Sequence, residues 1–182
     1  MREQQVPRVV YLARVTIMKT TLLLSMLLAA PPGSDAENQK DIKEVKIEAR
    51  AVWPVQEEKP VQRVIRSGEE LAVALGVDPP HAKEKKFQTG ASEDTAKLLK
   101  VKNIDWSKQM LVIVAAGEKR TGGYRMEILS LRAKADRLIV NWKLHSPPPG
   151  TFVTQAISYP AQMVLVERFQ GAVCFDPPVE KK

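Results

Sequence analysis

From Val61 onward, the spacing of apolar and polar positions predicts most of the elements. VQRVIRS sets Val61, Arg63 and Ile65 against Gln62, Val64 and Arg66, the period of two of an extended segment. Ser67-Gly68-Glu69-Glu70 is a capping box, in which the serine hydroxyl accepts from the Glu70 amide and Glu70 answers back. LAVAL behind it predicts a short helix that ends at Gly76. PPHAKEKKFQTGA reads as a loop, and Ser92 as the cap of a second helix over EDTAKLLK, with acids in its first turn and Lys100 near its end. QMLVIVAA is a near-continuous apolar run of strand length, which predicts a strand central in a sheet. YRMEILSL alternates Tyr124, Met126 and Ile128 against Arg125, Glu127 and Leu129. ADRLIVNWKL alternates Leu138, Val140, Trp142 and Leu144 against Ile139, Asn141 and Lys143, which places Trp142 on the buried phase. After the SPPPG loop, TFVTQAISYP, AQMVLVERF and GAVCFD complete a run of strands. Two helices followed by strands predict an α+β fold, a mainly antiparallel sheet with two short N-terminal helices.

Between QMLVIVAA and YRMEILSL lies GEKRTGG. It lacks the order of a phosphate-binding loop, because its lysine precedes the glycine pair. Two glycines between strands suit a tight hairpin, which needs positive φ without a Cβ. Thr121 and Tyr124 flank the pair with a hydroxyl and an aromatic ring, groups that loops use for contacts. Hairpin and contact site both stand as readings of this turn.

The first 36 residues are of another kind. Arg2, Arg8, Arg14 and Lys19 precede an apolar block from Thr21 to Ala30, and Ser34-Asp35-Ala36 follows with small residues where a signal peptidase reads. This order predicts a secretory signal, residues 1–36, cleaved after Ala36. Met18-Lys19 is an alternative start. The block is shorter than the about 20 residues a spanning helix needs, so no stable membrane anchor is expected after cleavage. The expected location is the bacterial periplasm or the extracellular space. Residues 37–60 read as a tail or linker with room for a first strand at Ile42, Val45 and Ile47, residues 61–176 as the folded domain, and residues 177–182 as a tail.

Charge and side-chain chemistry narrow the function. Beyond residue 36 the chain carries 24 Lys plus Arg and 19 Asp plus Glu, scattered among one another. That is solvated surface rather than a basic stripe with interleaved aromatics, so no nucleic acid is expected as a partner. The densest run, Lys83 to Lys86, falls in the predicted loop. Cys174 is the sole cysteine, so no internal disulfide forms, and between Val173 and Phe175 it reads as a buried thiol. His81 and His145 lack the second histidine or cysteine pair a zinc shell requires. A Cys174–His145 pair is open on sequence grounds but has no nucleophile signature around it. No metal, cofactor or catalytic residue is expected, and the protein reads as a non-enzyme.

Two spaced motifs carry a resemblance. Asp105-Trp106 precedes the apolar strand, and Gly117 and Thr121-Gly122-Gly123-Tyr124 follow it. Farther on come Pro149-Gly150, Thr154-Gln155 and Tyr159-Pro160. Over roughly residues 61–176 the chain resembles the C-terminal domain of the protease complex subunit PrcB family. The resemblance implies an exported, non-enzymatic binding module, similar to a subunit that binds and stabilises a secreted protease. It makes Thr121, Gly122, Gly123, Tyr124, Pro149, Gly150, Thr154, Gln155, Tyr159 and Pro160 the candidate binding residues. Two rivals belong to other classes. Chagasin-like protease inhibitors present a similar Thr-Thr-Gly-Tyr loop, although their Arg-Pro-Trp motif is missing here. The other is a cell-envelope ligand-binding or structural module.

Overall fold

In the computed structural model, which describes residues 42–176, the chain runs β1 (Ile42–Val45), β2 (Ile47–Ala51), β3 (Pro60–Ile65), α1 (Gly68–Ala74), α2 (Pro79–Ala82), α3 (Lys85–Leu99), β4 (Gln109–Ala116), β5 (Arg125–Lys134), β6 (Arg137–His145), β7 (Ala161–Glu167) and β8 (Ala172–Asp176). The expected signal segment and the C-terminal tail lie outside the described residues. The strands form two four-stranded sheets, in the orders β1-β5-β6-β8 and β2-β7-β4-β3. All pairs are antiparallel except β6 with β8. The fold is α+β, as the pattern predicted.

β4 shows why the layers stack as they do. A strand's period of two sends Leu111, Ile113 and Ala115 to one face and Met110, Val112, Val114 and Ala116 to the other. Both rows are buried, so both faces need a cover. On the first face lie Leu71 of α1, Ala96 and Leu99 of α3, and Trp53. On the second lie Met126, Ile128 and Leu131 of β5 and Leu138 and Val140 of β6. Residues 42–176 therefore form three layers: helices, the β4 sheet, and the β5 sheet. Each fully buried Leu, Ile or Met contributes roughly 1.5–3 kcal/mol, and β4 and β7 share that gain between two cores.

Residues 42–51 supply an edge strand to each sheet. β1 pairs with β5 and β2 with β7, and the chain changes sheet at Lys46. In β5 a bulge falls between Ile128 and Ser130, leaving Leu129 exposed and returning Leu131 to the core. One added residue reverses the strand's phase, so the alternation read over Tyr124 to Leu129 does not extend to Leu131.

The helical region departs from expectation. PPHAKEKKFQTGA is not a loop: it forms α2 and the first half of α3, and the basic run lies at their junction. Ser92 does not cap a helix. It sits inside α3, where its hydroxyl donates to Gln88 O at 2.7 Å and accepts from Trp106 Nε1 at 3.1 Å. Lysine and glutamate are good helix formers, and packing of Ala91 and Ala96 on the β4 sheet outweighs Thr89 and Gly90. At α1 the Ser67 hydroxyl accepts from Glu70 N at 3.2 Å, but the Glu70 carboxylate accepts from Arg66 N at 2.6 Å, one residue earlier than a capping box requires. TFVTQAISYP is not a strand either; its one bridge pairs Ser158 with Lys119.

Candidate functional site

The glycine-rich turn is not a hairpin. β4 and β5 belong to different sheets, so residues 117–124 carry the chain from the middle layer to the outer one. Alternation marks each strand as having a buried face but is silent on which sheet it joins, so a crossing and a hairpin look alike in sequence. Gly117 starts the crossing at φ +73° against the backbone of residues 58–60, and Glu118 N donates to Glu58 O at 3.0 Å. A Cβ on Gly117 would lie 2.9 Å from Pro60 N, which explains the residue.

β5 and β6 pair as an antiparallel hairpin, with Arg125 opposite His145. The segment entering β5 and the one leaving β6 therefore share one end of the sheet. There they are laced together. Gly122 N donates to Thr154 O at 2.8 Å, and the Ser158 hydroxyl donates to Thr121 O at 2.7 Å. Lys119 and Ser158 exchange two backbone bonds of 2.9 Å. Gly123, at φ +84°, leaves so little room that a Cβ would meet Val153 Cγ1 at 2.9 Å and Pro147 Cβ at 3.1 Å.

Beside this lacing is a cleft of about 360 Å³, lined by Tyr124, Tyr159 and Pro160 together with Arg50, Val52 and Gln162. Of the candidate residues, the structure brings Tyr124, Tyr159 and Pro160 to this cleft, while Thr121, Gly122 and Thr154 hold the two loops together. Pro149, Gly150 and Gln155 are exposed elsewhere on the second loop, and Gln155 Nε2 donates to Val153 O at 3.4 Å. Four residues were missed in the sequence: Arg50, Val52, Phe152 and Ile157. Val52, Phe152 and Ile157 are exposed by 71%, 103% and 57%, which leaves three apolar side chains in water around the motif loops. The available signal was Phe152, an aromatic in a proline- and glycine-rich loop where no core could claim it.

The charged and amide side chains lining the cleft are paired. Glu127 Oε2 lies 2.7 Å from His145 Nε2 and 3.2 Å from Arg125. The Ile128 amide donates to Gln162 Oε1 at 2.5 Å, and Arg50 donates to Ile128 O. A larger groove, about 730 Å³, runs beside the β3 edge and α1 but holds none of the motif residues. Its Glu57 pairs with Arg63 at 3.6 Å and its Glu70 carboxylate accepts from Arg66 N at 2.6 Å.

Asp105-Trp106 stands apart, at the start of β4 rather than its end. The Asp105 carboxylate accepts from the Ser107 hydroxyl at 2.6 Å and from Ser107 N at 3.0 Å, bonds that hold it below the usual carboxylate range. Trp106 packs against the helix-side core. This motif is architecture.

Cys174 is exposed, not buried: in β8 it alternates with the half-buried Val173 and Phe175, which pack on the sheet interface. It pairs in register with Ile139, six residues along β6 from His145, or roughly 20 Å away, so the two do not form a catalytic pair. Among the described residues no group of three or more His, Cys, Asp or Glu could hold a metal, and no helix is long and apolar enough to cross a membrane.

The fold is thus an α+β domain whose two motif loops are laced beside a tyrosine-lined cleft. A similarity to a known family lies in the strand region. The model of the PrcB C-terminal family matches residues 110–167, from the second residue of β4 to the last of β7, enclosing both loops and the cleft's tyrosines. Over that stretch the chain is similar to the PrcB C-terminal family. No curated protein and no solved structure matches the chain.

Proposed function

We propose that the chain is an exported, non-enzymatic binding module that holds and stabilises a secreted protease, in the periplasm or outside the cell. The observation that carries the reading is the lacing of the two motif loops, with Tyr124 and Tyr159 lining a cleft and Phe152 fully exposed on the second loop. Tyrosine and phenylalanine are the residue types that concentrate binding energy at protein interfaces. Loop insertion of the chagasin kind is disfavoured, because Thr121 and Gly122 are held down by Ser158 and Thr154.

The test is affinity capture from the cell envelope, crosslinked and read by mass spectrometry. Tyr124→Ala, Thr121→Ala and Phe152→Ala are each expected to lower capture about tenfold, the scale of a moderate interface anchor. Their thermal midpoints should stay close to that of the parent chain. Undiminished capture by all three would overturn the reading. Export is tested separately, by N-terminal sequencing, which should begin at Glu37; residues 1–30 intact on cytoplasmic protein would refute it.

A further inference from the structure

The order of the outer sheet leaves one strand edge half covered. β1 pairs with β5 only from Leu131 to Lys134, because the chain departs for the other sheet after Val45. From Arg125 to Ser130, β5 has β6 on one side and no strand on the other. At Ile128 the vacant side is closed by side chains, with Gln162 accepting the amide and Arg50 donating to the carbonyl. Those two bonds also fix the phase of the strand. Ile128 directs its N–H and C=O away from β6, and the alternation of an antiparallel ladder gives Met126 the same direction. The main-chain groups of Met126 thus face the cleft between Tyr124 and Gln162.

We propose that an extended, acidic segment of the partner protein adds to this edge as a strand, pairing with Met126 and seating its side chains between Tyr124, Tyr159 and Val52. The proposal rests on the binding reading above and names its mode. An unpaired edge supplies main-chain hydrogen bonds of any sequence, and the apolar walls and local charge select the side chains. Charge specifies the acid. Arg50 and Arg125 line the cleft, and Lys119 and Arg120 lie on the crossing loop, against Glu118 and Glu127. Of those two carboxylates, Glu127 is already engaged by Arg125 and His145. The excess positive charge favours a segment that alternates apolar residues with carboxylates.

The probe is an acetylated, amidated short peptide alternating valine and glutamate, added to the purified chain, with amide hydrogen exchange read by NMR. At a peptide concentration ten times its Kd, exchange of the Met126 amide should slow about tenfold. A peptide with lysine in place of glutamate, and one N-methylated at alternate residues so that it cannot pair as a strand, should give no protection. Binding without protection of Met126, equal protection by the lysine or N-methylated peptide, or no binding by any of the three overturns the proposal. The same peptide is then used to compete with partner capture. If Tyr124→Ala abolishes capture but the peptide neither protects Met126 nor competes, the loop surface stands and strand addition fails. If the peptide protects Met126 while capture survives Tyr124→Ala, Thr121→Ala and Phe152→Ala, the strand edge stands as a site and the loop surface fails.

Discussion

Gly117→Ala measures how firmly the crossing loop is seated. The added Cβ would lie 2.9 Å from Lys59 C and Pro60 N and 3.0 Å from Glu58 O, all main-chain atoms that cannot rotate away. At φ +73° a residue with a Cβ is strained by roughly 1–2 kcal/mol. Overpacking against fixed backbone adds roughly 1–3 kcal/mol. Alanine's smaller unfolded-state entropy works the other way, by about 0.4–1 kcal/mol. The net loss expected is about 2–3 kcal/mol. Gly150→Ala is the control, since its φ of +78° is similar but no atom lies within 4 Å of the new Cβ. It retains the strain without the collision and should lose only about 0.5–1 kcal/mol. Urea denaturation of both variants, at constant m, gives the difference directly, and the Gly117→Ala midpoint should fall by about 1–2 M. Equal losses at the two positions would show that Gly117 does not touch the lead-in to β3, and the description of the crossing would be wrong.

Two further measurements probe the outer sheet and the start of β4. Trp142 is half-buried against the sheet interface, and its Nε1 is shielded from solvent without an acceptor among the described residues. Trp142→Ala should therefore lose about 2–3 kcal/mol, below the 3–5 kcal/mol of a fully buried aromatic. Trp142→Phe should stay within about 1 kcal/mol of the parent, because it removes an unmet donor along with the contact area; a larger loss would mean that the indole N–H has a partner. Asp105 has a depressed carboxyl pKa in the folded state, so its contribution to stability is present above the unfolded value and is lost as pH falls through the folded one. Asp105→Asn should lower the midpoint at neutral pH and flatten its decline below about pH 4; an unchanged acid limb in a pH series of melts would show that the Ser107 bonds are absent in solution.

How much could be read from the chain alone differs from element to element. The seven-residue buried run of β4 told of two covered faces because no polar residue interrupts it. Ser67 and Glu70 marked the start of α1 because caps are local chemistry. The motif residues were likewise visible, since Thr121 to Tyr124 and Tyr159-Pro160 break the apolar rhythm at turns. Failures came where a local signal faced two tertiary solutions. Thr89, Gly90 and Ser92 suggest a loop and a cap until the β4 sheet offers Ala91 and Ala96 a surface to cover. Cys174 looks buried between apolar neighbours, but in an edge strand those neighbours turn one way and the thiol the other.

Periodicity determined strands β3 to β8 and most of their buried faces, because those depend on residues two to four apart. Sheet membership was decided only in three dimensions. Joining β4 to β5 within one sheet or across two leaves the same alternation in the sequence, and the choice was made by the distant β7, which takes the place beside β4, and by β6, which folds back on β5 as a hairpin. From that choice follow the crossing loop, the half-covered edge of β5, and the meeting of Tyr124 with Tyr159 at one cleft.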